Sequence, residues 1–242
     1  MKTYINNVWG DSIDTVKHSL PLTEWYPTGP LAYNHFKLPE QYSFNLDEMR
    51  SHVAQLDQTT KSIQANSDGR RFSKYRGLGF FARPNSEQPL EDHFTRRDAA
   101  HGQVYPDDLH LQNKLPDLYE DDFTEPTQIL DDYFAQVFGV FKSKVSKASL
   151  LELRAGGWLG SHVDFPYYKT IRLHASISGC DNAWYEVNGE RFQLPADGNW
   201  YFIDTGKYHA VWNEGPSHRL TLNVNLIVGP NDPLELALRG LL

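Results

Sequence analysis

The sequence predicts an α+β protein in which N-terminal helices pack outside a β-sandwich or jelly-roll core. After about Lys147, short strand-like runs alternate with turn signals roughly every 8 to 12 residues, which is typical of sandwiches and barrels. Before that point, two segments have the apolar spacing of amphipathic helices. We therefore expect one domain over residues 1–242, with a helical, insert-containing part at 1–146 and a β core at 147–230.

Composition narrows the class of protein. The chain has 242 residues, 40% of them hydrophobic and 13% aromatic, which is enough for a substantial core. Its formal net charge of −8 argues against nucleic acid as a partner. The single cysteine, Cys180, excludes an internal disulfide and a cysteine-based zinc cluster. Because neither a signal peptide nor a membrane-spanning run is visible, we expect a soluble, cytoplasmic protein with no membrane partner.

Two helices and a connecting segment are predicted in the N-terminal part. Asn45 and Glu48 have capping-box spacing, followed by apolar residues at helical spacing: Leu46, Met49, Val53 and Leu56. The second helix is predicted to begin at Thr124–Pro126 and to present a wide apolar stripe to a sheet. An apolar strand is expected at Gly77–Phe81. The segment 84–122 is long and weakly periodic, which is typical of either a lid or a floppy insertion.

The β core divides into strands by its turn signals. Asn188-Gly189 is the strongest two-residue hairpin signal, and Pro195–Gly198 forms another turn. The predicted strands are Ser149–Arg154, Ile171–Ser178, Ala183–Val187, Glu190–Leu194, Asn199–Asp204, Tyr208–Asn213 and His218–Val228.

Two of these strands have one polar and one apolar face. Side chains alternate along a strand, so in the last strand one face carries Arg219, Thr221, Asn223 and Asn225. In the predicted strand Ile171–Ser178, one face carries Arg172, His174, Ser176 and Ser178. Buried polar groups without partners cost several kcal/mol, on the order of 2–7. A small dicarboxylate would satisfy two inward arginines, because guanidinium groups bind carboxylates bidentately.

A metal site is predicted from His162, Asp164 and His209. The His-x-Asp spacing places two ligand side chains on one side of a strand end, and a histidine from a neighbouring strand completes one face of a metal. Two imidazoles and a carboxylate leave three coordination positions open and suit non-haem Fe(II). The motif alone is weak evidence, and its context strengthens it.

The context is a resemblance to a known family. Leu153–Val228 resembles the catalytic core of the Fe(II)/2-oxoglutarate oxygenases, and most of all the aspartyl/asparaginyl β-hydroxylase branch, which includes the free-proline hydroxylases. The ten-residue spacing from His209 to Arg219 is typical of that branch. This resemblance implies a double-stranded β-helix (jelly-roll, cupin-like) core. The matching segments are His162-Val163-Asp164, Arg172-Leu173-His174, Trp200–Asp204 and His209–Asn213 with Arg219.

The resemblance also implies roles for individual residues. His162, Asp164 and His209 would hold the iron, and Arg219 would pair with the distal carboxylate of 2-oxoglutarate, with Thr221 as a helper hydroxyl. Arg172 and His174 would lie near the other end of that cosubstrate. O₂ is the second cosubstrate, and ascorbate could stimulate turnover.

The function expected from the resemblance is hydroxylation of a C–H bond in a free amino acid or similar small molecule, with release of succinate and CO₂. Asp164 favours the bacterial small-molecule members, because the animal enzymes and the halogenases lack this carboxylate. One alternative is β-hydroxylation of Asp, Asn or another residue in a protein substrate. A second alternative is a non-enzymatic, metal-binding cupin-like protein, against which the two inward arginines argue.

Overall fold

A computed structural model describes residues 33–64, 75–86, 89–90, 123–162, 171–227 and 234, with only the backbone at 57–64, 75–76 and 160–162. The α-helices in these ranges are α1 (Leu46–Gln64) and α2 (Asp132–Gly139), and Glu40–Tyr42 forms one turn of 3₁₀ helix. The strands are β1 (His35–Lys37), β2 (Tyr75–Gly79), β3 (Phe81–Ala82), β4 (Glu125–Pro126), β5 (Lys144–Leu153), β6 (Trp158–His162), β7 (Ile171–Ser178), β8 (Ala183–Val187), β9 (Glu190–Phe192), β10 (Tyr201–Ile203), β11 (His209–Asn213) and β12 (Arg219–Ile227).

Two facing antiparallel sheets form the core. The six-stranded sheet has the order β1-β10-β7-β12-β5-β2, and the four-stranded sheet has the order β6-β11-β8-β9. The eight strands from β5 to β12 pass between the two sheets in the order of a double-stranded β-helix. The predicted jelly-roll fold is therefore confirmed. β1 and β2 from the N-terminal part extend the larger sheet at its two edges.

The helices cover the outer face of the six-stranded sheet, as predicted. The side chain of Asn45 caps α1 by accepting hydrogen bonds from the backbone of Asp47 at 3.1 Å and of Glu48 at 3.2 Å. Met49 is fully buried in the core that α1 shares with α2 and the sheet. Burying such an apolar side chain stabilises the fold by about 1.5–3 kcal/mol. The apolar side chains of this helix-side core include Val53, Phe134, Phe138, Leu173, Leu222 and Val224.

The predicted start of the second helix was wrong. Glu125–Pro126 forms β4, which pairs with β3, and the backbone N–H of Thr127 donates to the carbonyl of Phe80 at 2.9 Å. These contacts hold the segment extended, so α2 begins only at Asp132. Its cap is Asp131, whose side chain accepts from the backbone N–H of Phe134 at 3.0 Å.

The strand predictions differ in their success. β7 and β8 have the predicted boundaries, and the β8–β9 turn has positive φ at both Asn188 (49°) and Gly189 (83°), as a type I′ hairpin requires. β5 starts at Lys144, before the predicted Ser149. β1 and β4 were not predicted, and β6 was expected only as a strand that ends near His162, without bounds. Most of the 84–122 segment lies outside the described residues.

Gly179 is required where β7 ends beside the start of β12. Its φ is +68°, and a Cβ atom there would overlap the backbone carbonyl of His218. Gly189 has a similar φ of +83°, but a Cβ atom there would meet no other atom within 4 Å. Substitution of each glycine therefore distinguishes the cost of a left-handed backbone, which applies at both positions, from the cost of steric overlap, which applies only at Gly179.

We predict that Gly179→Ala lowers the free energy of unfolding by more than about 2 kcal/mol, because the overlap adds to a left-handed penalty of about 1–2 kcal/mol. Gly189→Ala should lower it by only about 1–2 kcal/mol, since the left-handed penalty applies without the overlap. Urea denaturation of both variants measures the difference. Equal losses would show that the His218 carbonyl moves aside at no cost.

Candidate active site

The inner face of the six-stranded sheet is polar where β7 and β12 pair. Asn223 lies opposite His174, Thr221 opposite Ser176, and Asn225 opposite Arg172. The intervening residues of β12 point the other way, into the helix-side core. The predicted separation of polar and apolar faces is therefore confirmed for β12 and for Arg172, His174 and Ser176 of β7. It is wrong for Ser178, which follows a register shift, pairs with Leu220 and lies on the helix side of the sheet.

Arg219 is buried on this inner face. The residue is 4% exposed, and its guanidinium donates a hydrogen bond to the hydroxyl of Tyr185. The guanidinium carbon also lies 4.4 Å from the centre of the Tyr185 ring. None of the ion pairs between described residues includes Arg219. Because a buried cation is stabilised by a paired anion, this environment suits binding of a carboxylate.

Tyr185 is a site residue that the sequence reasoning missed. Its hydroxyl contacts Arg219 and also lies 3.2 Å from Nδ1 of His174, so it links the two across the interior. Burial raises the pKa of the Tyr185 phenol, and the charge of Arg219 opposes that shift. A sequence signal was available: Tyr185 lies in the predicted strand Ala183–Val187, on the same face as Ala183 and Val187, and the structure buries this face.

His174 is buried at the centre of the polar face. Burial, followed by the positive charges of Arg172 and Arg219, lowers the pKa of His174 well below its ordinary value. The imidazole is therefore neutral at neutral pH. Its Nε2 atom has no hydrogen-bond partner among the described residues. Arg172 is held on the same face by a 3.0 Å hydrogen bond from its Nε to Oδ1 of Asn225.

His209 lies on the opposite sheet, at the start of β11. Its backbone pairs with His162 of β6 on one side and with Val187 of β8 on the other. The ring is buried, and its Nδ1 lies 3.0 Å from the carbonyl oxygen of Lys207. Because a carbonyl only accepts, Nδ1 carries the proton and the lone pair of the neutral ring is on Nε2. This hydrogen bond is typical of metal-binding histidines.

The structure does not test the predicted metal ligands. Asp164 lies outside the described residues, and only the backbone of His162 is described. Within the described ranges, no group of three His, Cys, Asp or Glu side chains could hold a metal. The assignment of His162, Asp164 and His209 to iron therefore stays a prediction.

A cleft of about 350 Å³ lies on the other side of the six-stranded sheet, between α1 and the sheet. Its walls are mainly apolar, and Leu220 and Ile177 in its floor belong to the opposite face of the strands that carry Arg219 and His174. The cleft is thus separated by the sheet from the polar interior and does not form part of the candidate active site.

The strand order defines a double-stranded β-helix protein, and the space between its two sheets is lined by polar side chains on one face. Residues 110–228, just under half of the 242 residues, match the family model of the aspartyl/asparaginyl beta-hydroxylases. This match confirms the resemblance that the motifs predicted, and it supports a hydroxylase. The search of curated proteins found no match.

Several solved structures share part of the architecture. A predicted oxalate decarboxylase from Thermotoga maritima is 21% identical, with 35% of this chain and 69% of that chain covered and a TM-score of 0.30. A cupin domain of an XRE family transcriptional regulator from Enterobacter cloacae is 19% identical, with 34% and 82% covered and a TM-score of 0.30. An oxidoreductase of the 2OG-Fe(II) oxygenase family from Burkholderia pseudomallei is 12% identical, with 87% and 91% covered and a TM-score of 0.41.

All three TM-scores are below 0.5, so these structures are similar to this chain only in part of their architecture. The fold assignment depends instead on the strand order. In the parts of the chain that the structure describes, no helix is both long enough and apolar enough to cross a bilayer.

We predict that Tyr185→Phe lowers the free energy of unfolding by about 1–3 kcal/mol, because it deprives buried Arg219 and His174 of a hydrogen-bond partner. Tyr133→Phe is the matched control. Its hydroxyl donates to the Asn45 carbonyl at 3.3 Å in an exposed position, so its loss should change stability by less than about 0.5 kcal/mol. Chemical denaturation compares the two variants. Equal effects would contradict a role for the Tyr185 hydroxyl in stabilising the interior.

Proposed function

We propose that this protein is a non-haem Fe(II)/2-oxoglutarate-dependent dioxygenase that hydroxylates a C–H bond of a free amino acid or similar small molecule. The products of the cosubstrate are succinate and CO₂. The observation that carries the proposal is that Arg219 is buried on the inner face without a carboxylate partner among the described residues. His209 lies on the facing sheet. The family match supports the hydroxylase class.

In this proposal, His162, Asp164 and His209 hold the iron. Two observations support the donor set. The backbones of His162 and His209 are directly paired across β6 and β11, and cross-strand partners have Cβ atoms about 4.5–5.5 Å apart. The hydrogen bond from His209 to the Lys207 carbonyl leaves Nε2 as the ligand atom. Bound Fe(II), together with 2-oxoglutarate and O₂, would supply the oxidising power for hydroxylation.

The chain's own residues then bind and orient the cosubstrate. Arg219 binds the distal carboxylate through charge-assisted hydrogen bonds, and the buried hydroxyl of Thr221, on the same face of β12, assists it. Arg172 and His174 lie on the neighbouring strand and interact with the other end. The neutral state of His174 keeps its ring available as a hydrogen-bonding group rather than adding a third charge to this face.

A small-molecule substrate is favoured by Asp164, since the resemblance associates a retained carboxylate with the small-molecule members. Hydroxylation of a residue in a protein substrate is the alternative that uses the same iron site. Pocket residues from the N-terminal part would decide between them, and most of the 84–122 segment lies outside the described residues. A direct assay therefore has to make this distinction.

Binding of 2-oxoglutarate gives the first test. With Mn²⁺ present, 2-oxoglutarate at 100 times its Kd should raise the free energy of unfolding by about 2.7 kcal/mol. Arg219→Ala should lose most of this stabilisation, because the distal carboxylate loses its cation. Arg191→Ala is the control, since Arg191 packs on the ring of Trp184 at 4.1 Å on the outside of the four-stranded sheet. Thermal unfolding with and without 2-oxoglutarate measures both effects, and full stabilisation of Arg219→Ala would disprove the anchor.

Turnover gives the second test. We predict that the protein with Fe(II), O₂ and ascorbate releases succinate from 2-oxoglutarate, and that one member of an amino-acid panel stimulates the release. His209→Ala should abolish it. Unstimulated release that disappears in His209→Ala would support the oxygenase and direct the search to peptides. Iron binding without any succinate would instead support the non-enzymatic metal-binding protein.

A further inference from the structure

A buried lysine lies two residues before His209. The Lys207 residue is only 3% exposed, and its ammonium is 3.3 Å from Oδ2 of Asp204, which is also buried. The same ammonium donates to Oδ1 of Asn34 at 2.9 Å and to the backbone carbonyl of Tyr33 at 3.4 Å. The contacts with Asn34 and Tyr33 are hydrogen bonds, and the contact with Asp204 is an ion pair.

Two contacts between Asp204 and Lys207 hold the connection between β10 and β11 in a turn. The backbone N–H of Lys207 donates to the carbonyl of Asp204 at 3.1 Å, and their side chains form an ion pair over the same four residues. The backbone of Asp204 is in turn held by Asn34, whose carbonyl accepts its N–H at 2.9 Å. The turn is therefore fixed both internally and to the segment that leads into β1.

The carbonyl at the end of this turn is the one that contacts His209. The Lys207 oxygen accepts from Nδ1 of the imidazole at 3.0 Å, two residues further on. The position of this oxygen sets which ring nitrogen carries the proton, and it also sets the plane of the ring. A displacement of the turn would therefore act directly on the atom that we propose to bind iron.

We propose that Lys207 is a positioning residue for the metal site. Its buried ammonium holds the Asp204–Lys207 turn against residues 33–34, so that the Lys207 carbonyl keeps His209 in the tautomer with its lone pair on Nε2. This inference rests on the proposed function, because it assumes that Nε2 of His209 is a metal ligand.

Stability alone does not account for a charged pair at this position. Replacement of a buried ion pair by uncharged residues is often neutral or stabilising, so a fold has no general need for one. A positioning role explains why the charged lysine lies at this turn, since its hydrogen bonds to Asn34 and Tyr33 are directional where apolar contacts are not. It also explains why the N-terminal segment is joined to the turn that precedes His209.

The test uses the full chain and two variants. Lys207→Met alone leaves the charge of Asp204 buried without this cation, which can prevent folding. The second variant, Lys207→Met with Asp204→Asn, removes both charges, so an effect on His209 can be measured apart from an effect on folding. Lys37→Met is the matched control, because Lys37 forms an exposed pair with Asp197 at 3.5 Å, away from the turn. Circular dichroism establishes that each variant is folded.

Two readouts are compared in the folded variants. We expect the Kd for Co²⁺, measured by calorimetry, to rise about 10- to 100-fold in the double variant and to stay unchanged in the control. We also expect ¹⁵N NMR of metal-free protein to show that His209 loses its preference for the Nδ1–H tautomer. A folded double variant that binds Co²⁺ within about twofold of the unmodified protein and keeps this tautomer would overturn the proposal.

The two readouts also separate this inference from the proposed function. If the unmodified protein binds no Co²⁺, the iron site itself is disproved, and the tautomer measurement still decides the role of Lys207. In that case a changed tautomer supports positioning of His209 by Lys207, and an unchanged tautomer overturns it.

Discussion

Strand β12 is buried on both faces, and this constraint governs the rest of the structure. One face contributes Leu222, Val224 and Leu226 to the core beneath the helices, while the other places Arg219 and Thr221 between the two sheets. Because side chains alternate with a period of two, a shift of one residue would exchange the two sets. The register of β12 against β5 and β7 therefore fixes the apolar core and the polar interior together.

A permanently charged guanidinium in this interior has consequences for its neighbours. Its guanidinium lies over the ring of Tyr185. Burial lowers the pKa of His174 most, and the charges of Arg172 and Arg219 lower it further. Electrostatic interactions are stronger away from water, so a carboxylate entering this space would interact more strongly with Arg219 than it would at the surface. The helix-side core holds β12 in place from behind, so this charge is positioned before any ligand arrives.

Features with local signals were predictable from the sequence. The cap of α1 depends on Asn45 and its near neighbours, and the β8–β9 turn depends on Asn188-Gly189. Features that depend on distant partners were not. β1 is only three residues long and is a strand because β10 pairs with it, and β4 replaces the predicted start of α2 because it pairs with β3. Likewise, only the folded chain brings Tyr185 to Arg219 and Asn34 to Lys207.

The place of β12 in the larger sheet also determines the order in which the chain can fold. The last strand of the described core inserts between β5 and β7, which are formed by much earlier parts of the chain. A nascent chain that has not yet synthesised residues 219–227 has two unpaired inner edges and an incomplete core on each side of the sheet. Such edges favour pairing with other chains. We therefore expect this fold to form more slowly than a helical bundle, with edges open to association until β12 inserts, because its central contacts join segments far apart in sequence.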